Sequence, residues 1–261
     1  MVLRRRDFIS VVGGGVVATP LAVFAQHPSP PVIGFLSSAS PAGFKHRVAA
    51  FKEGLSKHGF IESQYVAIEY CWAEDQYDKL PSLAAELVSK KVAIIVTAGG
   101  SQTAAAAKSA TATIPVVFMQ GGDPVQLGLV GSLNRPGGNV TGVTIVTVET
   151  MQKRLEILKE LLPKANSFAV LVHGRNPNKQ SVLGEINAAA KVLRVRVDVK
   201  EIVRESDFDS AFETLAQKGI GGIALTGDPI FTNHQERFVA LRCVTRFPQF
   251  THTAISYLLV A

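Results

Sequence analysis

The chain reads as an α/β protein built from two doubly wound parallel-sheet lobes, and three observations carry that reading. From residue 31 onward, short β-rich runs alternate with helical patterns, as stacked βαβ units require. A turn-rich stretch, Arg135-Pro136-Gly137-Gly138-Asn139, divides the series. Asp-Pro or Asn-Pro pairs recur where strand-like runs give way to helical ones, pairing an N-cap with a proline that has no orphan N–H.

In chain order, the strand-like runs are 32–36, 66–72, 93–97, 116–119, 140–146, 168–172, 195–202 and 222–225. Helical patterns fall near 44–58, 77–90, 101–110, 125–133, 149–162, 178–193, 207–217 and 230–241. The β-branched run that starts at Val140 and is broken by Gly142 could cross between lobes. One lobe is therefore expected over 31–146 and a second, partial one over 147–241.

The first 25 residues read as an export signal rather than as fold. Arg4-Arg5-Arg6 precedes an uncharged, apolar stretch from Phe8 to Phe24, too short for a membrane span, and Val23-Phe24-Ala25 offers small residues for cleavage. Arg5-Arg6-Asp7-Phe8-Ile9 resembles the twin-arginine signature, with an Arg-rich Sec signal as the alternative. Without a cysteine near the cleavage point, a lipid anchor is not expected, and a soluble periplasmic protein follows. Removing this segment lowers the formal charge from +6 to +4. The remaining charges are scattered, with no basic run to track phosphates, so nucleic acid is not an expected partner.

Enzymatic signatures are thin: no GxSxG, GxGxxG after a strand, GxxxxGK or HExxH string occurs. Cys71 and Cys243 have no CxxC or His spacing for a metal, and free thiols are expected; no cofactor is called for. Of the six histidines, His173 alone falls near a strand end. Trp72 reads as core, with stacking on a ligand at the rim as its other role.

Asp123-Pro124, Asn176-Pro177 and Asp228-Pro229 each stand at the expected start of a helix, and Gly99-Gly100-Ser101 offers a Ser cap with backbone room. All four junctions would sit at carboxyl ends of strands, where open α/β sheets bind ligands and helix N-termini present N–H donors. Asp75, in the polar Ala73-Glu74-Asp75 loop, is expected to lie apart from them.

The strings Ile33-Gly34-Phe35-Leu36-Ser37, Gly121-Gly122-Asp123-Pro124-Val125 and Asn134-Arg135-Pro136-Gly137-Gly138-Asn139-Val140-Thr141-Gly142-Val143 resemble the ABC transporter substrate-binding family of the tryptophan/tyrosine type. The resemblance runs from about Pro31 to Leu241. It implies a type I periplasmic-binding fold, capture of a small polar, amino-acid-like ligand between lobes, delivery to an ABC permease in the inner membrane, a monomer, and no covalent chemistry. The implied cleft positions are Ser37, Ser38, Gly100, Ser101, Asp123, Thr144, Asn176 and Asp228. Ser101 and nearby N–H groups would hold a carboxylate, and Asp123 or Asp228 an ammonium.

The resemblance weakens at the end, because no acidic residue follows Glu236 and residues 242–261 do not continue the family pattern. A truncated or frameshifted frame, incomplete at the C-terminus, is the expected cause. Two rivals remain: a repressor-type effector domain, which would carry a helix-turn-helix where the export signal stands, and an exported α/β enzyme acting on a small molecule. Cleavage after Ala25 is the first testable outcome. Sequencing the N-terminus of periplasmic material should read Gln26 first, and a mature protein that still begins at Met1 overturns it.

Overall fold

A computed structural model describes residues 30–145 and 150–245, so the expected export segment and residues 246–261 lie outside the described residues. The chain alternates strands β1 (Val32–Ser37), β2 (Ala67–Trp72), β3 (Ile94–Ala98), β4 (Val116–Gly121), β5 (Val140–Ile145), β6 (Ser167–His173), β7 (Arg196–Ile202) and β8 (Gly222–Leu225) with helices. These are α1 (Pro41–Lys57), α2 (Leu80–Ser89), α3 (Ser101–Ala110), α4 (Thr150–Leu161), α5 (Lys179–Leu193), α6 (Asp207–Gln217), α7 (Pro229–Asn233) and α8 (Gln235–Thr245). A 3-10 turn, Tyr77–Lys79, leads into α2.

Two all-parallel sheets result, ordered β2-β1-β3-β4-β5 and β7-β6-β8. Each is covered on both faces, which is why their central strands read as continuous apolar runs rather than alternating ones. In the first lobe α2 and α3 cover one face over Leu36, Ile95, Val116 and Phe118, while α1 covers the other over Phe35, Ile68 and Val96. In the second, α4 and α5 pack on Phe168 and Val170, and α6 with α8 packs on Ala169 and Leu171. Phe208, Phe212, Phe231 and Phe238 form the aromatic part of that last layer, with Phe208 and Phe238 centroids 4.6 Å apart. The fold is therefore the expected doubly wound pair of lobes.

Two expected helices differ. Over 125–133 the chain makes turns, because Gly128 takes φ +65° and the N–H of Leu129 turns back to the Pro124 carbonyl at 2.8 Å. The apolar spacing there still serves packing, since Leu129 and Val130 are buried. The pattern at 230–241 divides into α7 and α8 at His234, whose φ of −114° leaves the helical region. Cys71 is buried with a free thiol, and the ring of Trp72 stacks on Tyr70 and tilts against Phe35 in the layer beneath α1, as expected of a core residue.

Glycine decides one close approach. A Cβ on Gly142 of β5 would lie 2.1 Å from the Phe118 carbonyl oxygen and 2.6 Å from its ring, so no larger residue fits without moving β4. Gly142→Ala should cost about 1–3 kcal/mol in urea unfolding. Gly54→Ala, in α1 where nothing lies within 4 Å, should instead gain about 0.5–1 kcal/mol.

Candidate functional site

Parallel strands deliver their carboxyl ends to the same side of each sheet, and the segments leaving those ends meet between the lobes. After β3 the chain passes Gly99 (φ +90°) and Gly100 (φ +107°), conformations that admit only glycine easily, and then opens α3. After β8 it passes Thr226 and Gly227 to Asp228, whose extended backbone and side chain cap α7, accepting from the Ile230 N–H at 3.3 Å. After β6 it makes an Asx turn in which Asn176 Oδ1 accepts from the Asn178 N–H at 2.8 Å. Between them lies a narrow cleft of about 50 Å³, lined by Gly100, Ser101 and Gly121 from the first lobe and by Met151, Asn176, Asn178, Val182, Thr226 and Asp228 from the second.

Side-chain hydrogen bonds cross this cleft. The Tyr77 hydroxyl donates to Asp228 Oδ1 at 2.8 Å, and Asn178 Nδ2 donates to Ser101 Oγ at 3.2 Å and to the Gly121 carbonyl at 3.3 Å. Within the second lobe, Asn176 Nδ2 donates to the other carboxylate oxygen, Oδ2, at 2.9 Å. His173 stands behind Asp228, buried, with its Nδ1 3.7 Å from Oδ2 and its ring 4.6 Å from that of Tyr77.

The model of the family described as ABC transporter substrate binding protein matches residues 32–256. The chain belongs to that family. A tyrosine-binding protein of Clostridioides difficile (strain R20291) is 31% identical over 168 residues, which cover 64% of this chain and 48% of the relative, so the chain spans about half the length of that curated relative. Among solved structures, an ABC domain from Streptococcus pneumonia in complex with L-Trp superposes with a TM-score of 0.75 at 24% identity, covering 87% of this chain and 76% of the other. A conserved domain protein from Vibrio cholerae gives 0.75 at 23%, with the same coverage. These two likenesses bear on the fold, which is that of type I periplasmic-binding proteins.

In this member of the family, four of the eight expected cleft positions come together: Gly100, Ser101, Asn176 and Asp228. Asp228 caps its helix as expected, while the capping at the other two junctions differs. Gly100 is the N-cap of α3 and Ser101 its first residue, and Asn178 rather than Asn176 precedes α5. Ser37 and Ser38 are fully buried; Ser37 accepts from the Ala39 N–H at 3.2 Å and Ser38 donates to the Gly99 carbonyl, so they brace the glycine turn from below. Thr144 donates to the Gly122 carbonyl beside the cleft wall without lining it. Asp123 is exposed and holds the N–H groups of Val125 and Gln126 at 2.8 and 3.3 Å, capping a turn where a helix was expected. Asn178, Tyr77 and Thr226 were missed. The string Asn176-Pro177-Asn178 could have suggested the first, whereas nothing in the sequence marks Tyr77.

Burial is the main force on the Asp228 carboxyl and raises its pKa above the ordinary carboxylate range, against the opposing pull of His173, Tyr77, the Ile230 N–H and Asn176. Burial and the neighbouring Asp228 likewise push the Tyr77 phenol up. A carboxyl that binds its proton more tightly folded than unfolded contributes stability that is complete below the unfolded value, about 3.9, and is lost as pH rises through the folded one. Calorimetric midpoints of the wild type should therefore fall relative to those of Asp228→Asn as pH goes from about 4 to 8. A difference that runs the other way would show that the hydrogen bonds outweigh burial.

Proposed function

We propose that the protein is the exported, periplasmic solute receptor of an ABC importer, and that it holds a free amino acid between its lobes. The observation that carries this reading is the Asp228 carboxyl. It is buried at the cleft wall, three neutral donors surround it, and its ion-pair partner among the described residues is the His173 ring at 3.7 Å. A buried carboxylate without a full counter-charge is costly, and a ligand ammonium reaching it through the cleft would supply that charge.

The remaining lining matches the rest of such a ligand. The N-terminus of α3, ten residues long and opened by Gly100 and Ser101, directs N–H groups and a partial positive charge at the cleft, where a carboxylate would lie. Met151, Val182 and Pro229 supply apolar surface for a side chain. The tyrosine-binding relative and the L-Trp complex point to aromatic amino acids as the first ligands to try.

The way the polar groups are used supports binding rather than catalysis. The Ser101 hydroxyl faces the Asn178 amide rather than a base, and His173 lies behind Asp228 against Tyr77 and the Val203 carbonyl. Delivery to a permease in the inner membrane, a monomeric state and export by the twin-arginine or Sec route complete the reading. On it, 31–146 and 147–241 are the two lobes and Gly100, Ser101, Asn176 and Asp228 the ligand contacts.

Titration of the purified protein with L-tyrosine and L-tryptophan by calorimetry is the test. Asp228→Asn should weaken binding by about 1.5–3 kcal/mol, or roughly one to two decades, and Asp123→Asn by less than about twofold. Equal effects of the two substitutions, or a ligand chemically altered on recovery, would overturn the assignment.

A further inference from the structure

A second set of contacts joins the lobes away from the cleft. Asp75, in the loop that leaves β2, accepts from Asn233 Nδ2 and meets His234 Nε2, each at 3.0 Å. None of these three residues lines the cleft. Asp75 and its neighbour Glu74 both hold positive φ, 61° and 50°, a conformation that costs a non-glycine residue of order 1–2 kcal/mol and persists only where surroundings over-determine it. Here the surroundings are backbone hydrogen bonds to the residues just past β1: the Asp75 N–H to the Ser38 carbonyl at 2.7 Å and the Glu74 N–H to the Ala39 carbonyl at 3.3 Å. The loop thus holds the Asp75 carboxylate out toward the other lobe. On that side His234 also approaches Glu205 at 3.5 Å, and Glu205 is held by Arg237 at 2.6 Å.

We infer that Asp75, Asn233 and His234 form an interlobe latch that sets how closed the protein is before ligand arrives, and so tunes affinity from outside the ligand site. The mechanical link is α7. Its N-cap, Asp228, lines the cleft, and its last residue, Asn233, is the latch, so a single rigid turn carries both. A rigid shift of α7 that carries Asn233 away from Asp75 also moves Asp228. Apparent affinity falls in proportion to the fraction of binding-competent molecules, and weakening the latch therefore lowers it without touching a ligand contact. The affinity arm of this inference rests on the proposed function; the shape of the ligand-free protein does not.

The structure supplies an unusual probe. Gly43, in the first turn of α1, is placed so that an added Cβ would lie 2.8 Å from Asn233 Oδ1 and 3.0 Å from its Cγ. Gly43→Ala favours the helix intrinsically while pushing the Asn233 amide off Asp75. Small-angle scattering of the ligand-free full chain should show a larger radius of gyration for Gly43→Ala and for Asp75→Ala than for the wild type. The thermal midpoint of Gly43→Ala should be unchanged or higher, which a merely structural role would not give. L-tyrosine affinity should drop about three- to tenfold in each, and Gly43→Ala/Asn233→Ala should bind no more weakly than Asn233→Ala alone. If Asp75→Ala fails to fold, Gly43→Ala decides alone. Scattering curves that superpose for the wild type and Gly43→Ala overturn the latch. A wild type that ignores L-tyrosine and L-tryptophan yet widens on Gly43→Ala leaves the latch standing and removes the ligand assignment.

Discussion

The wall of the cleft is arranged around one desolvated carboxyl. Asp228 caps α7 through the Ile230 N–H, binds Asn176 beside it and receives the Tyr77 hydroxyl from across the cleft. Taking a carboxylate out of water costs several kcal/mol, and the hydrogen bonds it accepts, roughly 1.5–3 kcal/mol net each, offset much of that without supplying a counter-charge. The carboxyl is left with only the His173 ring at 3.7 Å as an ion-pair partner among the described residues. On the proposed reading, an ammonium arriving in the cleft gains attraction that the His173 ring at 3.7 Å only partly supplies, and a solute without a positive group gains none of it.

The lobes differ in kind from the interface between them. Each has its own apolar layers on both faces of its sheet, Leu36, Ile95 and Phe118 in one and Phe168, Phe208 and Leu171 in the other. Across the gap the contacts are polar: Tyr77 to Asp228, Asn178 to Ser101, Asp75 to Asn233 and His234, and Arg175 to Asp78 in an exposed two-pronged ion pair. An exposed pair such as the last contributes at most about 1 kcal/mol. Packed cores resist change while a short row of hydrogen bonds does not. Opening the cleft is therefore far easier than unfolding either lobe, and a ligand's few contacts are comparable in strength with the bonds that set the interlobe angle.

The buried strands were the most legible part of the sequence, because a buried parallel strand such as β1, β6 or β8 is a short, mainly apolar run bounded by turns. Helices α3 and α6 were equally plain. The segment 125–133 misled because Val125, Leu127, Leu129 and Val130 have helical spacing, yet Gly128 in a left-handed conformation turns the chain and buries Leu129 and Val130 without a helix. The site was half legible. Gly100, Ser101, Asn176 and Asp228 follow from strand-end logic, since a residue just past a β-strand must lie at the sheet's rim. Tyr77 and Asp75 reach the interface through a 3-10 turn and a strained loop, neither of which leaves a periodic signature.

The two Asp-Pro pairs show where local grammar stops. Asp123 and Asp228 both precede proline, both follow a strand, and both use a carboxylate oxygen to hold a backbone N–H two residues on. As capping residues they are equivalent. What separates them is what lies opposite: Asp228 meets Tyr77, Asn176 and His173 in a closed polar box, whereas Asp123 faces solvent. Capping needs only the next few residues, so it can be read from the chain. A buried charge needs the other lobe, contributed by residues about 150 positions away, as Tyr77 and Asp228 are. A shared dipeptide thus specifies the turn in both places, and tertiary placement alone buries one of the two at the cleft wall.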